Sequence, residues 1–211
     1  MLPDDVLLEI FDFYHDADGD MQSKQRMEEW ITLAHVCRRW RSVVLQSPHR
    51  LNLRLFCTPR TPTRDTLDVW LPLPLFVSNY GYGSSRGVDN IVAALEHSDR
   101  VCHIDLRIHS TSEWEHVPNS AAMQKPFPEL TRLRLGKYHD ELESILPDSF
   151  LGGTAPRLRL VILDNVPFLG LLKLLLSATH IVKLHLFFIP RSGYIPPEVM
   201  ATSLSALTSL E

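Results

Sequence analysis

The hexapeptide LTRLRL, Leu130–Leu135, sets the architecture of most of the chain. Leu133 and Leu135 are two residues apart, so on an extended backbone they share one face while Arg132 and Arg134 share the other. The same spacing recurs with relaxed apolar choice as Val101-Ile104-Leu106 in VCHIDL, Leu158-Val161-Leu163 in LRLVIL and Ile181-Leu184-Leu186 in IVKLHL. First positions at 101, 130, 158 and 181 are separated by 29, 28 and 23 residues, and LTSLE opens a fifth unit at Leu207 and Leu210. The intervening VDNIVAALEHS, DELESILPD and PFLGLLKLLLSA read as helical. Alternating strands and helices predict an α/β fold with a parallel sheet.

Spacings of this size lie in or near the range of leucine-rich repeats, whose strands turn apolar positions into the core and alternate ones outward. Projected onto the four strands, that register turns outward His103, Asp105 and Arg107; Arg132, Arg134 and Gly136; Leu160, Ile162 and Asp164; and Lys183, His185 and Phe187. These are the candidate residues for holding a protein substrate. Leu160 and Ile162 stand out because the register exposes two apolar side chains, which form a partner patch or lie beneath neighbouring chain.

Upstream, Leu51 to Gly87 has a different character. LNLRLFC alternates in period two and reads as a strand, TPRTPT as an extended proline-punctuated loop, and LDVWLPLPLFVS as a strand pair or an irregular buried segment. Pro72 and Pro74 argue against a central, fully paired strand there. The first residues are helical in pattern. LPDDVLLEIFDFY starts with proline and aspartates, which suit a helix N-terminus, and carries Val6, Leu7, Ile10, Phe11 and Tyr14 as one stripe. After the polar interval HDADGDMQSKQRMEE, LAHVCRRWRSVVLQSP places Leu33, Val36, Cys37, Trp40 and Val44 at helical spacing before Gln46, Ser47 and Pro48 close the segment. The expected organisation is a helical module over 1–48, a connector with strand-like segments over 49–87, and a repeat region over 88–211.

Composition narrows the function classes. A 211-residue chain with 45% hydrophobic and 22% charged residues suits one large soluble domain or two small ones. A net charge of −4 gives no general attraction to phosphate, so no nucleic-acid partner is expected. Cys37, Cys57 and Cys102 are too few and too scattered for a disulfide framework or a zinc site, which fits the cytoplasm and/or the nucleus. Asp4 and Asp5 stand where a secretory signal would be basic and then apolar. VPFLGLLKLLLSA, Val166–Ala178, contains Lys173 and is too short to span a bilayer, so it reads as a buried helix and no membrane partner is expected.

No pattern supplies enzymatic chemistry. DADGD, Asp16–Asp20, suggests a calcium loop, but the positions that need Gly and Glu hold Met21 and Met27. The ten histidines include no pair at helical spacing beside a third ligand. GYGSSRG, Gly81–Gly87, lacks the Lys-Ser/Thr of a phosphate loop and reads as a flexible loop. The expected site has no catalytic residue, no metal and no cofactor. Arg38, Arg39 and Arg41 allow a nucleic-acid reading, but Asp4, Asp5, Glu9, Asp12, Glu28 and Glu29 make the surrounding helices acidic. Two short helices cannot enclose so large an apolar face between themselves, and docking to another protein explains it better.

These residues resemble an F-box. LPDDVLLEIF is similar to its opening Leu-Pro-x-(acidic)-(apolar)-Leu-x-x-Ile-Phe, and LAHVCRRWRSVV to its closing Val-Cys-(basic)-x-Trp-(basic) segment. The long middle, HDADGDMQSKQRMEEW, departs from the compact form and looks like that of a large group of fungal F-box-like proteins, as do LDVWLPLPLF and VDNIVAALEHSDRVCHIDL. The resemblance implies a small helical F-box-like module followed by an irregular, incomplete leucine-rich-repeat solenoid. It also implies a non-catalytic substrate receptor that docks a Skp adaptor and, through it, a cullin-RING ubiquitin ligase. Leu2, Pro3, Val6, Leu7, Ile10, Phe11, Val36, Cys37, Trp40 and Val44 are the residues that would contact the adaptor or hold the helices that do. Trp40 is the expected anchor, since buried aromatics often dominate an interface. A scaffold with a protein-interaction role outside ubiquitination is the alternative. Because LTSLE ends in the opening of a repeat without a polar cap, the repeat region is expected to be a truncated part of a longer receptor, with its last helix and strand least stable.

Overall fold

The computed structural model describes residues 2–16, 32–47, 51, 53–69, 72–79, 87–138, 145–207 and 209–210. They divide into two compact units, Met1–Phe56 and Cys57–Glu211.

In the first unit, α1 (Asp4–Asp16) starts where Pro3 lends its carbonyl to the Leu7 amide at 3.2 Å. Asp4 and Asp5 sit in its first turn, where negative charge meets the positive end of the helix dipole. A helical turn over 32–36 precedes α2 (Arg38–Gln46). Cys37 is the N-cap of α2: its backbone is extended, and its sulfur accepts the Trp40 amide at 3.4 Å. At the other end the Ser47 amide returns to the Val44 carbonyl. Leu7, Leu8 and Phe11 of α1 and Val43 and Val44 of α2 are buried. Phe11 meets Trp40 edge to face, with ring centroids 4.9 Å apart and planes at 62°.

Six strands lie in sequence order in one sheet: β1 (Leu55–Cys57), which runs across the division, and in the second unit β2 (Leu75–Ser78), β3 (Val101–Ile108), β4 (Arg132–Lys137), β5 (Leu160–Asp164) and β6 (Lys183–Phe187). From β2 to β6 every neighbouring pair is parallel. The repeated apolar spacing appears as register, with Ile104, Leu133, Val161 and Leu184 in one row and Leu106, Leu135, Leu163 and Leu186 in the next. On β3, β4 and β5 these side chains are buried. They face the layer formed by α4 (Val88–Leu95), α5 (Thr111–His116), two 3-10 turns at Ala121–Gln124 and Phe150–Gly153, and α6 (Leu171–Ser177). On β6 the same register is only half-buried, because the core thins toward this last strand in the order.

Two asparagines extend the ladder where strands end. Asn79, just past β2, donates from Nδ2 to the Arg107 carbonyl and accepts the Arg107 amide, both at 2.7 Å. Asn165, just past β5, takes a left-handed backbone (φ 57°) that lets its amide reach the Phe187 carbonyl at 2.9 Å. Gly87, the N-cap of α4, has φ 87°, and a Cβ there would lie 2.0 Å from the Pro59 carbonyl oxygen, so no other residue fits.

Four expectations need correction. A helix, α3 (Thr63–Val69), takes the end of TPRTPT, expected as an extended loop, and the start of LDVWLPLPLFVS, expected as a strand pair or an irregular buried segment. Pro62 accepts the Thr66 amide at 3.0 Å and the Thr66 hydroxyl at 2.8 Å, so this proline starts a helix rather than punctuating a loop. The strand that follows, β2, begins immediately after Pro74, buried along its whole length and interior in the strand order. In DELESILPD, residues 140–144 lie outside the described residues, and the described part is not helical: Leu146 forms an isolated parallel bridge with Phe168. After α7 (Pro197–Ser205) the Leu210 amide returns to the Leu207 carbonyl at 3.4 Å, so these two leucines do not open a strand. The DADGD residues 17–20, the Met21 and Met27 positions and the glycine-rich 81–86 also lie outside the described residues.

Candidate functional site

The apolar stripe of α1 divides into two faces. Leu7 and Phe11 turn inward, at 3% and 0% exposure, whereas Val6 and Ile10 turn outward at 40% and 47%. The reason is angular: at about 100° per residue the buried arc runs from Leu7 through Phe11 to Leu8, and Val6 and Ile10 fall beyond its other edge. Leu2, four residues before Val6, is half exposed, and Val36, on the turn before the α2 N-cap, is 57% exposed. Pro3 and Cys37 are exposed beside them. Val44 is fully buried and Trp40 half-buried against Phe11. Of the ten residues expected to serve docking, Leu7, Phe11 and Val44 therefore hold the helices. Leu2, Val6, Ile10 and Val36 present apolar surface to solvent.

The arginines do more than rim this face. Arg39 donates to Asp4 Oδ1 from Nε at 3.1 Å and from the guanidinium Nη2 at 2.7 Å, and it also reaches the Leu2 carbonyl. Arg41 donates to the Ala34 carbonyl at 3.0 Å. Two of the three cations thus tie α2 to the start of α1 and to the preceding turn. Sequence reading missed these tethers because Asp4 and Arg39 are 35 positions apart.

In the second unit, the projected outward residues do share one face of the sheet, in three cross-strand rows. His103, Arg132, Leu160 and Lys183 form the first, Asp105, Arg134, Ile162 and His185 the second, and Arg107, Gly136, Asp164 and Phe187 the third. All are half-buried or exposed except Gly136. Leu160 and Ile162 are half-buried, so neither is wholly covered by chain. Parallel sheets are ordinarily covered on both faces, and here, among the described residues, one face from β3 to β6 stays half-buried or exposed. Phe76 packs its ring on His103 at 3.9 Å, and Tyr138 stacks on His109 at 4.5 Å while accepting a hydrogen bond from Arg107. Neither aromatic was legible as part of this face. Phe76 was hidden in a proline-rich segment, and Tyr138 follows the last residue of β4.

Desolvation raises the Asp105 pKa above the usual carboxylate range, against the opposing pull of Arg134 and then Arg107. Its Oδ1 is buried without a hydrogen-bond partner. A raised folded-state pKa means that this group's contribution to stability is fully present below the unfolded pKa and is lost as pH rises through the folded value. Asp105→Asn, which keeps the neutral shape, is expected to melt higher than the wild type at neutral pH. The gap should close in acid, where the aspartate is protonated in both states. Thermal melts across that pH range check it, and a lower midpoint for the variant at neutral pH contradicts it.

Reactive groups are sparse. Burial pushes the Cys57 thiol up to about 11, with Arg100 acting in the opposite direction. Cys102 is buried and donates its S–H to the Leu75 carbonyl at 3.3 Å, while Cys37 is exposed. Brief maleimide treatment of the native protein is expected to label Cys37 and leave Cys57 and Cys102 unlabelled, as read by peptide mass spectrometry. Among the described residues, no three His, Cys, Asp or Glu side chains come together to hold a metal. No helix there is long and apolar enough to cross a membrane.

An acid-opened helix, a cysteine-capped second helix bearing Trp40, and an outward apolar row all fall within the first unit. Residues 1–54 match the F-box-like family model. The chain carries an F-box-like domain. The match spans 54 of 211 residues, so it describes the first unit and leaves the sheet unassigned. No curated protein and no solved structure matches the chain. An F-box-like domain supports a protein-interaction role with a Skp-type partner in general.

Proposed function

We propose that the chain is a substrate receptor. Its F-box-like domain docks a Skp adaptor and thereby joins a cullin-RING ubiquitin ligase, while the open sheet face holds a protein destined for ubiquitination. The observation that carries the reading is the outward row Leu2, Val6 and Ile10, with Val36, inside the matched residues. Large apolar side chains at this exposure, in helices already closed by Phe11, Val44 and Trp40, favour a protein partner. The sheet region is read as irregular leucine-rich repeats. Support comes from the in-phase apolar spacing, which falls in register on four consecutive parallel strands. The receptor contributes positioning, and the transfer chemistry belongs to other subunits. Three free thiols, two of them buried, support a reducing location, cytoplasm or nucleus.

Co-expression with a Skp adaptor tests the docking half. A stable complex is expected, with Cys37 protected from maleimide inside it. Failure to form any complex at low salt overturns the reading.

A further inference from the structure

We infer that the open sheet face takes an acidic protein segment, one in which anionic groups flank an apolar side chain. The inference rests on the receptor reading for its biological use, but its physical basis is separate. The three rows on β3 to β6 carry four permanent cations, Arg107, Arg132, Arg134 and Lys183, against two carboxylates, Asp105 and Asp164. The chain as a whole has a net charge of −4, so positive charge is concentrated on this face against the average.

The arrangement within the rows is more specific than the excess. The first row, at the strand beginnings, reads His103, Arg132, Leu160, Lys183 and contains no carboxylate. Arg132 and Lys183 are exposed. Among the described residues, Arg132, Arg134 and Lys183 make no ion pair. Between Arg132 and Lys183 stands Leu160, and in the second row Ile162 follows Arg134 on the next strand. Two strand spacings separate the flanking cations, about 10 Å. A bound segment thus meets a cation, an aliphatic ridge and a second cation in succession. Two anionic groups about that far apart, with one apolar side chain between them, complement it. Asp105 does not spoil the match, because it is half-buried between arginines.

A nucleic acid satisfies the cations but not the ridge. Single strands are held by aromatic platforms under successive bases, whereas the centre of this face is Leu160 and Ile162. A peptide is therefore the better occupant.

The test uses the full chain and short fluorescein-labelled peptides in which glutamates flank one leucine at varied spacing. Glutamine versions, phosphoserine versions and a single-stranded RNA oligonucleotide run beside them, all read by fluorescence anisotropy. The expected result is saturable binding of the best glutamate or phosphoserine peptide, about tenfold or more tighter than its glutamine version and weakened by salt. Each exposed ion pair is individually weak, so the combined R132E, R134E and K183E variant is the decisive one, with a loss of about tenfold or more. Leu160→Ser is expected to weaken the leucine-bearing peptide and leave a version with serine at that place unchanged. Glutamate-only and phosphoserine-only binding both support the inference and identify the anion. Equal binding of acidic and glutamine peptides, no binding of any peptide, or tighter binding of RNA overturns it. Adaptor capture by the triple variant, with a wild-type melting curve, shows that the fold is intact. A chain that captures the adaptor but ignores every acidic peptide defeats this inference and leaves the docking reading standing. The converse defeats the docking reading alone.

Discussion

Ile10→Asp is expected to abolish capture of a Skp-type adaptor while leaving the helical unit folded. Ile10 is 47% exposed on the outward face of α1, one turn beyond Val6, and helps to present the apolar row. A carboxylate there puts a charge into the centre of a would-be apolar contact. Truncation of a central interface residue commonly costs about 2 kcal/mol or more, roughly thirtyfold in affinity, and a charge costs at least that. In the free protein Ile10 is half exposed, so stability should move by about 1 kcal/mol or less. Trp40→Asp is less discriminating. Trp40 is half-buried and edge-on to Phe11, so its replacement loses both the helix pairing and the docking surface. Pull-down of the adaptor together with a melting curve separates the two. Ile10→Asp losing the adaptor at an unchanged midpoint supports the exposed row as the docking surface, and full retention of the adaptor overturns it.

The contrast between those two residues marks where the sequence was readable. That α1 is helical and apolar follows from spacing alone. Which half of the stripe turns inward does not, because Val6 and Leu7, or Ile10 and Phe11, are chemically equivalent until another helix selects one. Trp40 makes that selection by meeting Phe11. The strands were easier, since a two-residue period leaves only two faces. The apolar spacing in LTRLRL therefore assigned Leu133 and Leu135 to the core side, and Arg132 and Arg134 to the other, without any tertiary information. Helix α3 was missed because Pro59 and Pro62 read as loop punctuation, although Pro62 lies just where a proline costs a helix nothing. The role of Arg39 was missed for a different reason. Sequence displays its charge but not its partner Asp4, which the fold brings to it from the other helix.

Leu133→Asp is expected to unfold the sheet unit, and Arg132→Asp, one residue earlier, to leave it folded. Leu133 is 0% exposed and lies between Ile104 and Val161 in the parallel ladder, among side chains that offer a carboxylate no partner. An uncompensated buried charge costs about 3–5 kcal/mol, added to the lost packing of a leucine at about 2–5 kcal/mol. Domains have only about 5–15 kcal/mol of stability in total, so a largely unfolded or aggregated product is the expected outcome. Arg132 points from the same strand to the opposite, open face, where it is exposed and unpaired among the described residues. Its replacement changes surface charge, and the midpoint should shift by about 1 kcal/mol or less. Urea titration followed by circular dichroism measures both. Comparable destabilisation by the two changes would falsify the one-sided sheet, and with it the claim that His103, Arg132, Leu160 and Lys183 stand together on an accessible face. A large difference between adjacent residues has only one structural source here, the alternation of the strand. The face that tolerates Arg132→Asp is therefore the face available to a partner.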